Sequence, residues 1–371
     1  MKSVKIKMLV MIIGVLIMCG WETNQTRAKE TKLYVTESLE VDCDSMEPLY
    51  NVDDKVVAYY FDGDNGYAII GLDGTLIEFS EESKIDKFDN TDCEKSYYAG
   101  TGEYYIESKK DNEIENVYTG KEINKETVQN IEIDPYQYNN SGKKKAELDV
   151  SKNKKSVTIT YPDGGKDPKG KTTYTDTFFK TLTFKSKANL PYSTRYFSYN
   201  VNGTCGSTAS AIMMYYYYDH IGSSYITNNS YIGKTEAKQK AFVNHFKSLL
   251  GDNGNGTGYK KVKDGINKYL GEIGKSKNCD YITSANILEN VSSRIMKCID
   301  NKRPCIVGLD GEPTYGDHWV VGVGYAKYYG INGRSRRDVY FIKVNNGWYT
   351  TSSKSIVYVN YDYVDGVIFL K

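Results

Sequence analysis

In the stretch YNVNGTCGSTASAIMM at residues 199–214, turn-forming residues give way to small and then apolar ones. Ile212 and Tyr216 continue the apolar spacing of a helix, which predicts a mostly buried helix ending near His220. Cys205 then lies in the first turn of that helix. A helix N-terminus carries a partial positive charge that favours thiolate over thiol, so the position predicts a reactive cysteine. The alternative is a small buried cysteine or one half of a disulfide.

A histidine at the start of a strand is the second feature. Residues 318–325, HWVVGVGY, follow a turn-rich segment and have strand composition, and residues 339–344 predict the next strand. A polar loop over 330–338 would join the two strands into an antiparallel hairpin. His318 and the pair Asn345-Asn346 then lie at the same end of the hairpin. An asparagine oxygen that accepts the ring N–H fixes the tautomer and leaves the other nitrogen as a base. Taken alone, the histidine also fits an ordinary strand end, and the asparagines fit a turn.

These segments resemble the papain superfamily of cysteine peptidases, and within it the streptopain family and related double-glycine-leader-type peptidases. The motifs that carry the resemblance are TCGSTA at 204–209, DHWVVGVGY at 317–325 and VNNGW at 344–348. The resemblance implies an α+β peptidase domain, a helical part around Cys205 packed on an antiparallel sheet around His318. It also implies hydrolysis of peptide bonds through a Cys-His-Asn site.

The chain departs from the family pattern at two positions, and the third member of the site can be assigned in two ways. A glutamine usually precedes the cysteine by about six residues and completes the oxyanion hole, but Tyr199 stands there, so Asn200 or Asn202 would have to substitute. Ser207 replaces a proline. The third member of the site is Asn345 or Asn346, and the spacing to the following tryptophan favours Asn346.

The N-terminal half predicts a separate small domain. Runs at 56–61, 67–70 and 76–79, joined by Gly- and Asp-rich turns, predict an antiparallel sheet, with a helix packed on it. Residues 48–52 and 66–80 resemble the inhibitory prodomain of streptopain, which implies that this α+β domain is the enzyme's own inhibitor.

The predicted organisation has four parts: a signal peptide at 1–28, a prodomain-like domain at 29–135, a basic linker at 136–175 and a papain-like domain at 176–371. Basic residues followed by the apolar run 8–18 are typical of a secretory signal, and a lipoprotein anchored through Cys19 is the alternative. The linker reads as a solvated segment or an exposed hairpin, and either is compatible with proteolytic nicking. We therefore expect a secreted or extracellular protein, either free or associated with the cell wall, with no membrane association once the signal is removed.

Composition excludes several classes of function. The 371 residues carry 48 basic and 47 acidic side chains, a net charge of +1, and a nucleic-acid binder usually shows a basic excess. Only three histidines are present, and His220 and His245 fit structural positions on helices. None of the cysteines forms a CxxC pair and histidines are few, so we expect no structural zinc site. We also expect no cofactor.

The function that these features favour is a secreted cysteine endopeptidase, made as a zymogen and acting on a peptide or protein substrate. One alternative is a cysteine amidohydrolase acting on cell-wall peptides, because the same Cys/His pair serves both reactions. The other is a non-enzymatic secreted binding protein on a decayed peptidase fold, which the missing glutamine favours.

Overall fold

The computed structural model describes most of the chain between residues 32 and 371. The described residues are 32–34, 39–42, 45–71, 76–85, 88, 95–102, 104–118, 120–128, 147–151, 156–160, 171–174, 183–197, 204–253, 256–285, 290–311, 315–332, 335–347 and 356–371. The expected signal peptide, Asn200, Asn202 and Trp348 lie outside them.

Among the described residues, ten strands make up the N-terminal domain (residues 32–128). They are β1 (Lys32–Tyr34), β2 (Glu40–Asp42), β3 (Glu47–Tyr50), β4 (Val56–Asp62), β5 (Tyr67–Gly71), β6 (Leu76–Ser80), β7 (Ser96–Tyr98), β8 (Tyr104–Glu107), β9 (Glu113–Asn116) and β10 (Glu122–Asn124). The three strands predicted from the sequence are confirmed as β4, β5 and β6. Among its described residues, 3-10 geometry occurs at Ser45 and at Lys125–Thr127, and the helix expected on this sheet is not found among them.

Gly66 shows why the β4–β5 turn needs glycine. The N–H of Gly63 donates to the carbonyl of Gly66 at 2.8 Å and closes the turn. A Cβ at position 66 would lie 2.0 Å from the backbone oxygen of Ser80, because β6 passes directly beside it. The glycine therefore lets three strands pack closely at this corner.

The segment predicted as a linker contains strands of its own. They are β11 (Glu147–Ser151), β12 (Ser156–Thr160) and β13 (Lys171–Tyr174), which form a separate three-stranded antiparallel sheet.

The C-terminal domain, residues 183–371, mixes helices and antiparallel strands. Its elements are β14 (Thr183–Asn189), α1 (Cys205–His220), α2 (Glu236–Leu250), α3 (Tyr259–Glu272), β15 (Cys279–Thr283), α4 (Val291–Asp300), β16 (Cys305–Gly311), β17 (Tyr315–Asn332), β18 (Ser335–Asn345), β19 (Ile356–Asn360) and β20 (Val364–Leu370), with 3-10 turns at Ser223–Tyr225 and Tyr361–Tyr363. This arrangement of a helical part and an antiparallel sheet is compatible with a papain-like peptidase domain.

The predicted helix and hairpin are both present. The helix begins at Cys205 and ends at His220. The hairpin is β17–β18, and its strands pair as far as Asn332 and Ser335. The connecting loop is therefore shorter than the predicted 330–338, because the ladder of hydrogen bonds continues through that polar segment.

One sheet of 15 strands runs through both domains. Its order is β10-β9-β8-β7-β3-β4-β5-β6-β19-β18-β17-β16-β20-β15, with β14 paired to the outer half of β17. The N-terminal and C-terminal strands meet where β6 pairs with β19.

Helix α1 is the centre of the helical part. Its residues from Cys205 to Tyr217 are all buried, which agrees with a helix surrounded by protein on every side. Tyr215 packs edge-on against Phe197 and Phe242, at ring distances of 5.7 and 5.0 Å. None of the helices in the described ranges is long and apolar enough to cross a membrane.

Candidate active site

Cys205 is the first residue of α1 and is 8% exposed. The helix begins as the N–H of Thr208 donates to the carbonyl of Thr204 at 3.0 Å. The first turn contains no acidic residue, so no carboxylate of the helix itself offsets the partial positive charge of its N-terminus. Two residues further along the helix, Ser207 Oγ donates to the carboxylate of Asp252 (Oδ2) at 2.8 Å. Cys205 forms no disulfide with another cysteine of the described chain.

His318 lies on β17 and is 4% exposed. Burial lowers the pKa of its imidazole to about 4. A hydrogen bond from the ring to the backbone carbonyl of Asn346 acts in the opposite direction, because it favours the charged ring. The ring is therefore neutral near pH 7, the form in which it can accept a proton.

Gly206 and Trp319, the residues that follow Cys205 and His318, lie against each other, so the start of α1 contacts β17. A Cβ built at Gly206 would lie 3.2 Å from Trp319 Cδ1 and 2.5 Å from Thr257 Oγ1. The indole N–H of Trp319 donates to the carbonyl of Thr257 at 2.7 Å and fixes the ring in this position. Gly206 is thus the residue whose small size allows α1 to start against β17. The sequence offered no signal for Thr257, because its role depends on tertiary contacts.

The two asparagines have different surroundings. The amide nitrogen of Asn345 donates to Thr194 Oγ1 at 2.9 Å and to the carbonyl of Arg195 at 3.1 Å. Its amide oxygen accepts the N–H of Gly347 at 2.9 Å. Asn345 therefore connects the end of β18 to the segment that precedes Cys205. Asn346 is the residue whose backbone contacts the His318 ring.

The other two histidines lie away from this cluster. Nε2 of His220 lies 3.2 Å from the carbonyl of Ser193, and the ring stacks on Tyr192 at 4.6 Å. Nε2 of His245 lies 2.7 Å from Glu272 Oε2. Both arrangements support the structural roles expected for these residues.

A cavity of about 250 Å³ lies beside the segment that precedes Cys205. Its lining residues are Glu82, 189–194, Tyr196, Val323, Lys343 and Ile356. It therefore lies where the N-terminal domain, this segment and strands β17 to β19 meet. Among the described residues, no group of three or more His, Cys, Asp or Glu side chains is arranged to hold a metal ion.

Comparison with known proteins gives a family match over most of the C-terminal domain. Residues 188–365 match the model of the Peptidase_C39 like family. The matched segment includes Cys205, His318, Asn345 and Asn346. No curated protein matches the chain. The family match supports a bacterial cysteine peptidase of the papain-like kind, an enzyme that acts on peptide or protein substrates.

Proposed function

We propose that this protein is a secreted cysteine endopeptidase in which Cys205 is the nucleophile, His318 the general base and acid, and Asn346 the residue that orients the imidazole. The proposal is carried by one observation: the helix that begins at Cys205 packs, through Gly206 and Trp319, against the strand that carries His318. Both elements lie in the segment that matches a cysteine peptidase family.

The first half of the proposed reaction forms an acyl-enzyme. The neutral His318 ring takes the proton of the Cys205 thiol, and the thiolate attacks the carbonyl carbon of the scissile peptide bond. The backbone N–H of Cys205 and the side chain of Asn200 or Asn202 would hold the oxyanion. His318 then gives its proton to the leaving amine as the C–N bond breaks, which leaves a thioester on Cys205.

The second half returns the free enzyme. His318 takes a proton from a water molecule as that water attacks the thioester carbonyl. The C–S bond breaks, the carboxylic acid product leaves, and the proton returns to the sulfur. The hydrogen bond from the ring to the Asn346 carbonyl supports this cycle, because it keeps one nitrogen occupied and directs the other towards the reaction.

The test is labelling with an irreversible epoxide inhibitor of cysteine peptidases, followed by peptide mapping and an assay on a denatured protein substrate. We expect modification at Cys205 and loss of hydrolysis in Cys205→Ala, with the circular dichroism spectrum unchanged. Cys279→Ala is the matched control, because Cys279 is also a buried thiol in the same domain but lies on β15. Turnover retained in Cys205→Ala would contradict the proposal. Hydrolysis of cell-wall peptides alone would favour the amidohydrolase, and an inert Cys205 would favour the binding protein.

We also propose that the enzyme is made as a latent zymogen, with residues 29 to about 155 as its own inhibitor. The observation that favours this is the pairing of β6 with β19, which attaches the N-terminal domain to the sheet that carries His318. Cleavage in the basic segment should then raise the rate of Cys205 labelling. Equal labelling rates for the intact and the cleaved chain would contradict latency.

A further inference from the structure

The junction between the two domains is a continuous piece of sheet. Phe79 and Glu78 of β6 pair with Tyr358 and Val359 of β19. The Phe79 ring stacks on Tyr358 at 4.7 Å with an angle of 5° between the ring planes, and it meets Phe341 edge-on at 5.2 Å. Backbone pairing and aromatic packing therefore act on the same short contact.

An apolar core lies on one face of this junction and is shared by both domains. The N-terminal domain contributes Phe61, Ala68, Ile70, Leu76 and Phe79, and the C-terminal domain contributes Ala326, Tyr328, Val339, Phe341 and Tyr358. Each of these side chains is 5% exposed or less. Separation of the domains would expose both halves of this apolar core to water, which is unfavourable.

Side-chain hydrogen bonds also connect β6 to β19 on either side of the paired residues. The side-chain amide of Asn360, 1% exposed, donates to the carbonyl of Leu76 at 2.9 Å. Ser80 Oγ donates to the carbonyl of Ile356 at 3.4 Å. Without β6, strand β19 would be a sheet edge with unpaired backbone groups and exposed aromatic side chains, which is a site of aggregation in proteins generally.

We propose that the N-terminal domain is a permanent partner of the C-terminal domain, so that cleavage of the segment between them leaves two fragments bound through β6 and β19. The interaction surface is the β19 edge with Phe341 and Tyr358, and the partner that fits it is the chain's own β6 with Phe79. If the zymogen proposal holds, latency is relieved by cutting the connection and not by loss of the domain. The inference rests on the proposed function only at that point, because the contacts described do not involve Cys205.

The experiment uses the full chain with a site-specific protease sequence inserted between Asn140 and Ser141. The chain is cut in buffer that contains a reductant, so that no disulfide holds the fragments, and is run on gel filtration with increasing urea. We expect the fragments to elute together at the size of the uncut chain without urea. Fragments that separate in native buffer would overturn the inference.

Variants then test whether the junction is the binding surface. Phe79→Ala and Asn360→Ala should weaken fragment association by about tenfold or more, because both side chains are fully buried in the contact. Lys343→Gln is the control at the rim: it removes the ion pair with Glu82 at 3.7 Å and the contact of the Lys343 ammonium with the Tyr358 ring at 5.3 Å, but leaves every buried side chain in place, and should change association by less than about threefold. Circular dichroism of the uncut variants checks folding.

Two outcomes separate this inference from the proposed function. Fragments that stay together in Phe79→Ala and Asn360→Ala as firmly as in the wild type would overturn the assignment of the β6–β19 junction. A cleaved complex that elutes as one species but is not labelled by the epoxide would contradict the proposed peptidase and support the inference, since binding would not depend on catalysis.

Discussion

The side-chain amide of Asn345 donates to Thr194 Oγ1 at 2.9 Å. This hydrogen bond joins the end of β18, which pairs with the His318 strand β17, to the segment that leads into Cys205. The same segment is held against α1 by Arg195, whose guanidinium pairs with Asp219 at 2.6 Å and lies 4.0 Å from the centre of the Tyr215 ring. Asn345 is therefore a positioning residue between the two halves of the proposed site.

We expect Asn345→Ala and Asn346→Ala to behave differently. Asn345→Ala leaves the buried Thr194 hydroxyl and two backbone groups without their partner, so the free energy of unfolding should fall by about 2–3 kcal/mol. Asn346→Ala retains the backbone carbonyl that accepts from His318, and kcat/KM should fall by less than about tenfold. Urea unfolding and peptide hydrolysis measure the two effects. A loss above about 100-fold in Asn346→Ala would show that its side chain orients the ring.

Local patterns in the sequence were enough to predict the helix at Cys205, the strand at His318 and the hairpin to β18, because apolar spacing and turn residues are readable over a few positions. The role of Asn345 could not be predicted in this way. Its partners Thr194 and Arg195 lie far back in the chain, and the spacing argument concerned only the distance to the next tryptophan. The pairing of β6 with β19 could not be predicted for the same reason: it joins segments far apart in the chain, and each one alone has only the pattern of an ordinary strand.

The second prediction concerns Gly206. In Gly206→Ala the new methyl group would lie 2.5 Å from Thr257 Oγ1, closer than real side-chain carbons approach, and would make a tight contact of 3.2 Å with Trp319 Cδ1. Either α1, which begins at Cys205, or Thr257, whose carbonyl holds the Trp319 ring next to His318, must therefore shift. We expect kcat/KM to fall by about 100-fold, as misplacement of a catalytic group by about 1 Å does elsewhere. Gly258→Ala is the control, because a Cβ there meets nothing within 4 Å. Equal activities of the two variants would contradict this role of Gly206.

The third prediction is a pH dependence of stability set by His318. Burial lowers the pKa of its ring to about 4 in the folded state, against 6.5 for the ordinary histidine of the unfolded chain. Between these values the unfolded state binds more protons, so stability is complete above about pH 6.5 and falls as the pH drops towards 4. The loss attributable to this one ring is roughly 3 kcal/mol.

His318→Gln removes that titration, so its unfolding free energy should fall less than that of the wild type between pH 7 and pH 4.5. His220→Gln is the matched control, because its ring is exposed at the end of α1. The measurement is urea unfolding at several pH values. Parallel curves for the wild type and His318→Gln would show that the imidazole is not buried in the neutral form.

The last prediction concerns Glu78, which is fully buried on β6 next to the domain junction. Its carboxylate accepts hydrogen bonds from Tyr67 at 2.6 Å, Tyr98 at 3.0 Å and Thr101 at 2.5 Å, and also from Tyr104. Burial raises the pKa of Glu78, and the hydroxyl donors oppose that shift. A raised pKa means that the folded state holds the proton more tightly than the unfolded state does.

The contribution of Glu78 to stability is therefore complete below the ordinary glutamate pKa of 4.5 and is lost as the pH rises through its higher pKa in the folded state. Glu78→Gln cannot ionise, so its melting temperature should decrease less than that of the wild type between pH 5 and pH 8. Glu113→Gln is the control, since that side chain lies on β9, away from the junction. If the wild type and Glu78→Gln lose the same number of degrees over this range, the carboxylate is already ionised at pH 5, and the four hydroxyl donors outweigh its burial.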